Sequence, residues 1–204
     1  MINKPSKRLM LMQIFVIFIL PVLLLYFQII PYSWRIFILA LSSLFIYGII
    51  KRENWSHEEM GIRYDNFKKA FPYYFFFTIL GVLTLLLLER RVNMPDLDTT
   101  SFFIKTFIFF LPISFFQEFV FRSFLMPRLK DIFKNNFTVI FINALLFTFI
   151  HIIYPSLGII LPIVFISGIL FAWLYQKFPN LILISISHSI LNVTAILLGF
   201  FYLN

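Results

Sequence analysis

The sequence predicts an all-α protein, a polytopic helical membrane bundle of about seven transmembrane helices, within a range of about six to eight. Three observations support this fold class. Of the 204 residues, 61% are hydrophobic and only 13% are charged, whereas soluble domains carry about 25% charged residues. The apolar residues form long runs, and a helix needs about 20 of them to cross a bilayer. The basic residues cluster between those runs, as is typical of membrane proteins.

Successive apolar runs define the predicted spans, and together they form a single transmembrane domain over residues 1–204. The N-terminal spans lie within residues 1–92, and the remaining spans form a core over residues 100–204. We find no internal repeat and no domain linker. The predicted spans are Leu9–Ile30, Trp34–Ile50, Phe71–Leu88, Phe102–Met126, Phe137–Tyr154, Leu157–Tyr175 and Leu181–Leu203.

The longest polar stretch of the chain runs from Lys51 to Ala70 and separates the second span from the third. It carries charges of both signs together with a few large apolar residues. We expect it to contain a short helix lying in the membrane interface, with Trp55, Met60 and Phe67 as its apolar contacts. A second polar loop, Asn93–Ser101, is expected on the opposite side of the membrane.

The distribution of basic residues predicts the orientation of the bundle. A cytoplasmic N-terminus places twelve of the lysines and arginines at the cytoplasmic side and four at the other side. Because cytoplasmic loops carry the excess of Lys and Arg, we expect a multi-pass protein of the cell membrane with its N-terminus in the cytoplasm. The lipid bilayer is therefore one expected partner.

Composition excludes several classes of function. The chain has no cysteine, which excludes disulfides, thiolate metal sites and cysteine nucleophiles. Its net charge of +8 lies in loops between apolar runs and forms no basic surface with interleaved aromatic residues. We therefore expect no binding to nucleic acid.

A few polar side chains lie inside the predicted spans, where a charge costs about 2.5–3.5 kcal/mol at the bilayer centre. Such residues are functional candidates by default. Glu118 and Arg122 are four residues apart and so share a helix face, and the same spacing relates His188 to Asn192. The candidate residues are Gln117, Glu118, Arg122, His151, His188 and Asn192.

Depth along the helices relates these candidates to one another. At about 1.5 Å per residue, Glu118, His151, His188 and Asn192 each lie roughly 10–20 Å from the end of their span. Three helices therefore bring polar groups to a common level near the midplane. A buried Glu118–Arg122 pair or a single histidine can be purely structural, but the whole set at one depth favours a functional site.

This sequence lacks the residues that three types of intramembrane hydrolase require. A metalloprotease helix needs His-Glu-x-x-His, and His151 is followed by Ile-Ile-Tyr-Pro. A rhomboid-like serine site needs Gly-x-Ser-Gly, but Ser167-Gly168 follows Phe165-Ile166. An aspartyl design needs two aspartates within the membrane, and no predicted span contains one.

A different pattern is present on three successive core spans. It consists of Gln117-Glu118-x-x-x-Arg122, then Phe147-x-x-x-His151, then His188-x-x-x-Asn192. This order resembles the CPBP family, which comprises CAAX proteases and bacteriocin-processing enzymes and is also called the Abi family. The resemblance covers about residues 100–204. The family pattern is Glu-Glu-x-x-x-Arg, Phe-x-x-x-His and His-x-x-x-Asn/Asp.

The resemblance implies a glutamic-type intramembrane endopeptidase that cleaves a peptide or protein substrate at the membrane. In the family scheme, a glutamate and the first histidine activate water, while the second histidine and the asparagine stabilise the oxyanion. Carried over to this sequence, the catalytic residues are Glu118, His151, His188 and Asn192, with Gln117 and Arg122 in supporting roles. A carboxylate in an apolar bundle is suited to act as a base.

One position departs from the family pattern, because Gln117 stands where the family has its first glutamate. An amide does not accept a proton near neutral pH. Either Glu118 serves as the base, or Gln117 positions water while other groups do the chemistry. The alternative is a catalytically inactive relative that acts as a scaffold, an immunity factor or a substrate-binding protein.

Two further expectations concern ligands and transport. Two histidines and a glutamate also form a set that zinc accepts, but the family scheme uses no metal, so we expect no metal and no cofactor. An intramembrane Glu–His set also suits proton-coupled transport. Transporters usually show repeated halves, and this sequence shows none.

Overall fold

The computed structural model describes residues 5–88, 110–154 and 157–200. Over these ranges the secondary structure is helical and contains no strand, so the all-α prediction is confirmed. The α-helices are α1 (Lys7–Ile14), α2 (Leu20–Tyr26), α3 (Arg35–Arg52), α4 (Phe67–Leu87), α5 (Leu111–Glu118), α6 (Met126–Ile132), α7 (Asn136–Phe149), α8 (Leu157–Lys177) and α9 (Leu181–Leu197). The polar loop Asn93–Ser101 lies outside the described residues.

Two of the long helical stretches contain π-helical segments. Phe15–Ile19 joins α1 to α2, and Phe119–Leu125 joins α5 to α6. The two segments contact each other, since the rings of Phe18 and Phe121 meet edge to face with centroids 5.2 Å apart. A π-helical turn interrupts the regular i→i−4 ladder and is frequent at functional sites.

Within the described residues, four helical stretches are long and apolar enough to cross a membrane, judged by length and composition. They are Lys7–Tyr26, Tyr32–Arg52, Phe67–Leu87 and Ile160–Lys177. Two shorter apolar helices, Asn136–Phe149 and Leu181–Leu197, pack among them. These helices support the predicted helical membrane bundle.

The polar stretch between α3 and α4 differs from its prediction. No helix forms over residues 53–66, which adopt turns. The reason is that other parts of the bundle use the backbone carbonyls of this stretch: Met60 accepts from the Ser123 hydroxyl at 2.5 Å, and Gly61 accepts from the Leu181 N–H at 2.8 Å. These hydrogen bonds to distant helices anchor the stretch in its irregular conformation.

The fourth predicted span was expected to end near Met126, but the helix continues to Ile132. The continuation is stable because Arg128, only 1% exposed, forms an ion pair with Glu53 at 2.6 Å. The guanidinium also lies over the rings of Trp55 and Phe124. Arg128, two residues beyond the predicted end of the span, is therefore buried and paired.

Two other predicted spans are shorter in the structure. The fifth ends as a helix at Phe149, and residues 150–154 form turns that carry His151. The last described helix ends at Leu197, followed by Gly199 at a φ of +74°. In the packed bundle, α9 lies against both α4 and α5, while α7 packs most extensively against α8. Helix α9 thus brings its polar side chains to the centre.

Candidate functional site

The site contains a fully buried ion pair. Glu118, the last residue of α5, and Arg122, in the following π-helical segment, are both 0% exposed, and their Oε2 and Nε atoms lie 3.0 Å apart. Their separation by four residues puts both side chains on the same side of the helix. A buried charge is costly unless it is paired, and this pair has two further polar neighbours, His188 and Asn143.

His188 of α9 contacts the other oxygen of the same carboxylate. Its Nδ1 lies 2.7 Å from Glu118 Oε1. Since a carboxylate only accepts, the Nδ1–H of His188 donates, and the neutral ring then carries its lone pair on Nε2. Both Glu118 oxygens are therefore occupied, one by histidine and one by arginine.

Asn143 of α7 completes the buried cluster. Its Oδ1 accepts a hydrogen bond from Arg122 Nη1, and its Nδ2 donates to the Phe121 carbonyl at 2.9 Å. That carbonyl belongs to the π-helical segment. The Asn143 side chain thus donates a hydrogen bond to the irregular backbone of this segment. Two aromatic rings enclose the cluster: the Arg122 guanidinium lies 5.1 Å from the Phe147 ring and 5.9 Å from the Phe171 ring.

His151 and Asn192 are positioned separately from that cluster. His151 Nδ1 lies 2.8 Å from the Phe147 carbonyl, so Nδ1 carries the proton and Nε2 the lone pair of the neutral ring. Asn192 Nδ2 donates to the Ser114 hydroxyl at 3.1 Å. These contacts hold both side chains in defined orientations.

Two cavities meet at these residues. The larger has a volume of about 420 Å³ and is lined by Gln117, His151 and Asn192, among others. The smaller has a volume of about 200 Å³ and is lined by His151, His188 and Asn192, among others. His151 and Asn192 therefore lie on the wall common to both cavities.

Glu118 lines neither of these two cavities and has no exposed surface. The sequence predicted that it would form one functional site with His151, His188 and Asn192 near the midplane. The structure brings those three together and puts the carboxylate behind His188, in contact with it. Gln117, about 100° around the helix from Glu118, is the residue of this pair that lines a cavity.

Sequence reasoning missed two residues of the site, Asn143 and Ser114. Both carry a periodic signal: Asn143 precedes Phe147 and His151 at four-residue intervals, and Ser114 precedes Glu118 and Arg122 in the same way. Polar residues repeated every four positions share one helix face. Extending the motifs by one helical turn toward the N-terminus would have found both.

The described residues do not form a metal site. Within 5–88, 110–154 and 157–200, no group of three or more His, Asp or Glu side chains is arranged to hold a metal ion. The Glu118–His188 pair lacks a third such ligand in these ranges, which matters because structural and catalytic zinc sites use at least three protein ligands.

Comparison with protein families supports the motif assignment. The family model described as type II CAAX prenyl endopeptidase Rce1-like matches residues 99–194. This range contains all three motifs. Over residues 99–194 the chain is therefore similar to the CAAX protease family. The family is one of proteases, and its match together with the apolar helices indicates a membrane protein. Comparisons with curated proteins and with solved structures gave no match.

Proposed function

We propose that this CAAX protease relative is an intramembrane endopeptidase in which His188, oriented by Glu118, acts as the general base. The observation that carries the proposal is the contact of 2.7 Å between His188 Nδ1 and Glu118 Oε1, beside a cavity lined by His151 and Asn192. A carboxylate that binds one ring nitrogen fixes the tautomer and strengthens the other nitrogen as a base.

The reaction is hydrolysis of a peptide bond of a peptide or protein substrate. His188 Nε2 takes a proton from water as the water oxygen attacks the carbonyl carbon. The carbonyl oxygen gains negative charge and is stabilised by a hydrogen bond from the amide of Asn192. The proton then passes to the leaving amine, the C–N bond breaks, and the products are a carboxylic acid and an amine. No metal and no cofactor takes part.

These roles differ from the family scheme, in which the glutamate itself activates water. Glu118 is fully buried, and its oxygens contact Arg122 and His188. A carboxylate in these contacts is suited to orient a histidine rather than to meet water. Glu118 is therefore a positioning residue in this proposal, and His151 on the shared cavity wall is a second hydrogen-bonding group for the substrate or water.

The test compares single variants on a library of quenched apolar peptides, with the full chain in nanodiscs. His188→Ala should lower kcat by about 10²–10⁴-fold, the usual effect of removing a general base. Glu118→Gln should cost about 10–100-fold and should shift the acidic limb of the pH–rate profile. The chain has three histidines, and His57→Ala, in the loop before α4, is the matched control.

Three results would contradict this mechanism. Cleavage by His188→Ala at the wild-type rate would show that His188 is not the general base. A pH–rate profile that does not shift in Glu118→Gln would show that Glu118 has a structural role only. A wild type that cleaves no member of the library would reject the peptidase itself.

A second candidate is a catalytically inactive relative that binds a peptide as a scaffold or immunity protein. Gln117 favours it, because an amide lines the larger cavity where the family pattern has a carboxylate. The variant Gln117→Glu separates the two candidates. In an active enzyme it should keep or raise the existing rate. In an inactive relative it is the change expected to create cleavage.

The proposed location is the cell membrane, with seven crossings and the N-terminus in the cytoplasm. The charge distribution of the loops supports this orientation. Reporter fusions in the 53–66 loop should report the cytoplasm, and fusions in the 93–101 loop should report the opposite side. Both loops on the same side would contradict the topology.

A further inference from the structure

A basic and aromatic surface lies where the last turn of α8 meets the first two turns of α4. Lys177 is the last residue of α8 and is exposed. Its Nζ lies 5.3 Å from the centre of the Trp173 ring, 5.9 Å from that of Tyr73 and 5.8 Å from that of Phe178. An ammonium within about 6 Å of a ring centre is attracted to the ring face. The Tyr73 and Phe178 rings also stack at 4.3 Å, so the rings hold this ammonium at the junction of the two helices.

Two more lysines extend this surface along α4. Lys68 and Lys69 lie in the first turn of the helix, and both are exposed. Lys69 precedes Tyr73 by four residues, so the two side chains share one helix face. We refer to Lys68, Lys69, Tyr73, Trp173, Lys177 and Phe178 as the α4–α8 patch.

The lysines of the α4–α8 patch have no carboxylate partner among the described residues. The ion pairs of those ranges include none of the three lysines, and the first turn of α4 contains no acidic residue. The acidic residue closest to them in the sequence, Asp65, is paired with Arg63 at 2.5 Å. The patch therefore presents positive charge that a partner outside the chain can neutralise.

The position of the patch corresponds to the headgroup region of a bilayer. The candidate membrane span of α4 begins at Phe67 and that of α8 ends at Lys177, so the patch occupies span ends that lie side by side. Tyr73 and Trp173 are 48% and 49% exposed, and exposed Tyr and Trp are typical of the headgroup level. The proposed orientation puts this end of the bundle in the cytoplasmic leaflet, which carries anionic lipids.

We infer that the α4–α8 patch binds the headgroup of an anionic phospholipid. The inference does not depend on the proposed peptidase activity. Ammonium groups donate charge-assisted hydrogen bonds to phosphate oxygens, and each lysine near a membrane surface adds to the attraction of anionic lipid. The contacts of Lys177 with three rings fix one of these donors before the lipid arrives, which lowers the entropy cost of binding.

The surface next to the patch favours a lipid over an acidic protein segment. Beyond the patch, α4 exposes large apolar side chains, such as Phe76 at 68% and Leu83 at 51%. A phospholipid held at the patch lays its acyl chains along this apolar face. An acidic protein segment would neutralise the lysines but would bring no hydrocarbon to it.

The experiment measures lipid binding by the full chain in micelles of a neutral detergent. The probe is phosphatidylglycerol with a fluorophore on one acyl chain, and phosphatidylcholine with the same label is the comparison without net charge. Fluorescence anisotropy gives both affinities. The wild type should bind phosphatidylglycerol about tenfold more tightly than phosphatidylcholine, and the difference should shrink as the salt concentration rises.

Two double variants with the same change in net charge locate the effect. Lys69→Gln, Lys177→Gln removes two charges of the patch and should reduce the preference to about twofold or less. Lys51→Gln, Lys134→Gln removes two other exposed lysines, which are predicted on the same side of the membrane, and should keep the preference of the wild type. Binding of phosphatidylcholine with the wild-type affinity shows that each variant is folded.

Equal affinity of the wild type for the two lipids overturns the inference. A preference that falls by the same factor in both double variants, or in neither, also overturns it, because the patch would then not be responsible. Displacement of the probe by an equal concentration of glycerol 3-phosphate would assign the patch to a soluble anion instead, and displacement by a glutamate-rich peptide would assign it to a protein. A lipid preference in a chain that cleaves no library peptide keeps this inference and rejects the peptidase.

Discussion

The two parts of the chain on either side of residues 89–109 carry their charges differently. In the first part, Arg63 and Asp65 form an ion pair at 2.5 Å with side chains 29% and 56% exposed. In the second part, Glu118 and Arg122 form an ion pair at 3.0 Å with both side chains 0% exposed. Water can replace the partner of an exposed charge, whereas a buried charge depends on its protein partners.

The larger cavity shows how the two parts are combined. The first part contributes apolar wall residues, together with Arg35, and the second contributes Gln117, His151 and Asn192. These three hydrogen-bonding side chains lie in the part that the family model matches, over residues 99–194. Both parts supply apolar walls, and the guanidinium of Arg35 comes from the first part.

The largest expected effect comes from breaking the buried pair on one side. Arg122→Gln leaves the Glu118 carboxylate without its guanidinium and should lower the free energy of unfolding by about 3–5 kcal/mol. Chemical denaturation in micelles measures this change. The variant therefore tests whether the stability of the second part of the chain depends on the pairing of its buried charges.

The double variant Glu118→Gln, Arg122→Gln is the control for that change. It removes both charges at once, so a substantial share of the lost stability should return. A double variant as unstable as Arg122→Gln alone would show that shape and hydrogen bonding dominate the cluster, and that charge pairing does not.

The sequence was sufficient to predict which helices carry the polar groups. Ionisable residues are rare in apolar spans, and the four-residue spacing put Glu118 beside Arg122 and His188 beside Asn192. The direction of Glu118 could not be predicted in this way. The π-helical segment begins directly after it, and helical periodicity does not anticipate such an irregularity. The contact of Glu118 with His188 also depends on how two distant helices pack.

Prediction from the sequence also failed at the loop before α4. Its mixture of charged and apolar residues predicted an interfacial helix, which is wrong because residues 53–66 adopt turns. Local propensity is overridden by hydrogen bonds to residues far along the chain, such as Asn180 Nδ2 to the Arg63 carbonyl at 2.8 Å. No short-range pattern in the sequence encodes such partners.

An intermediate effect is expected where that loop touches the second part of the chain. Gly61 has a φ of +74°, and a Cβ added there would lie 1.9 Å from the Tyr175 hydroxyl. Gly61→Ala should therefore lower the free energy of unfolding by about 1–3 kcal/mol. Gly48→Ala is the matched control, because no atom lies within 4 Å of its added Cβ and alanine favours a helix interior.

Thermal melts of both variants, followed by tryptophan fluorescence, check this prediction. Gly61→Ala should melt well below the wild type, and Gly48→Ala should melt at or above it. Equal melting of the two variants would mean that the loop is not packed against Tyr175, and that the first part of the chain contacts the core less closely than described.

The smallest effect is expected at the exposed pair. The hydrogen bond from Arg63 lowers the pKa of Asp65, so the pair contributes at neutral pH and loses its contribution as the pH falls through that lowered pKa. Because water screens the pair, Asp65→Asn should lower the melting temperature only slightly, and only at pH values above that lowered pKa. Glu53→Gln is the matched carboxylate-to-amide change in the same loop. It deprives the buried Arg128 of its partner at 2.6 Å and should cost about 1–3 kcal/mol. A loss of stability in Asp65→Asn as large as in Glu53→Gln would show that burial does not separate the two kinds of charge pair.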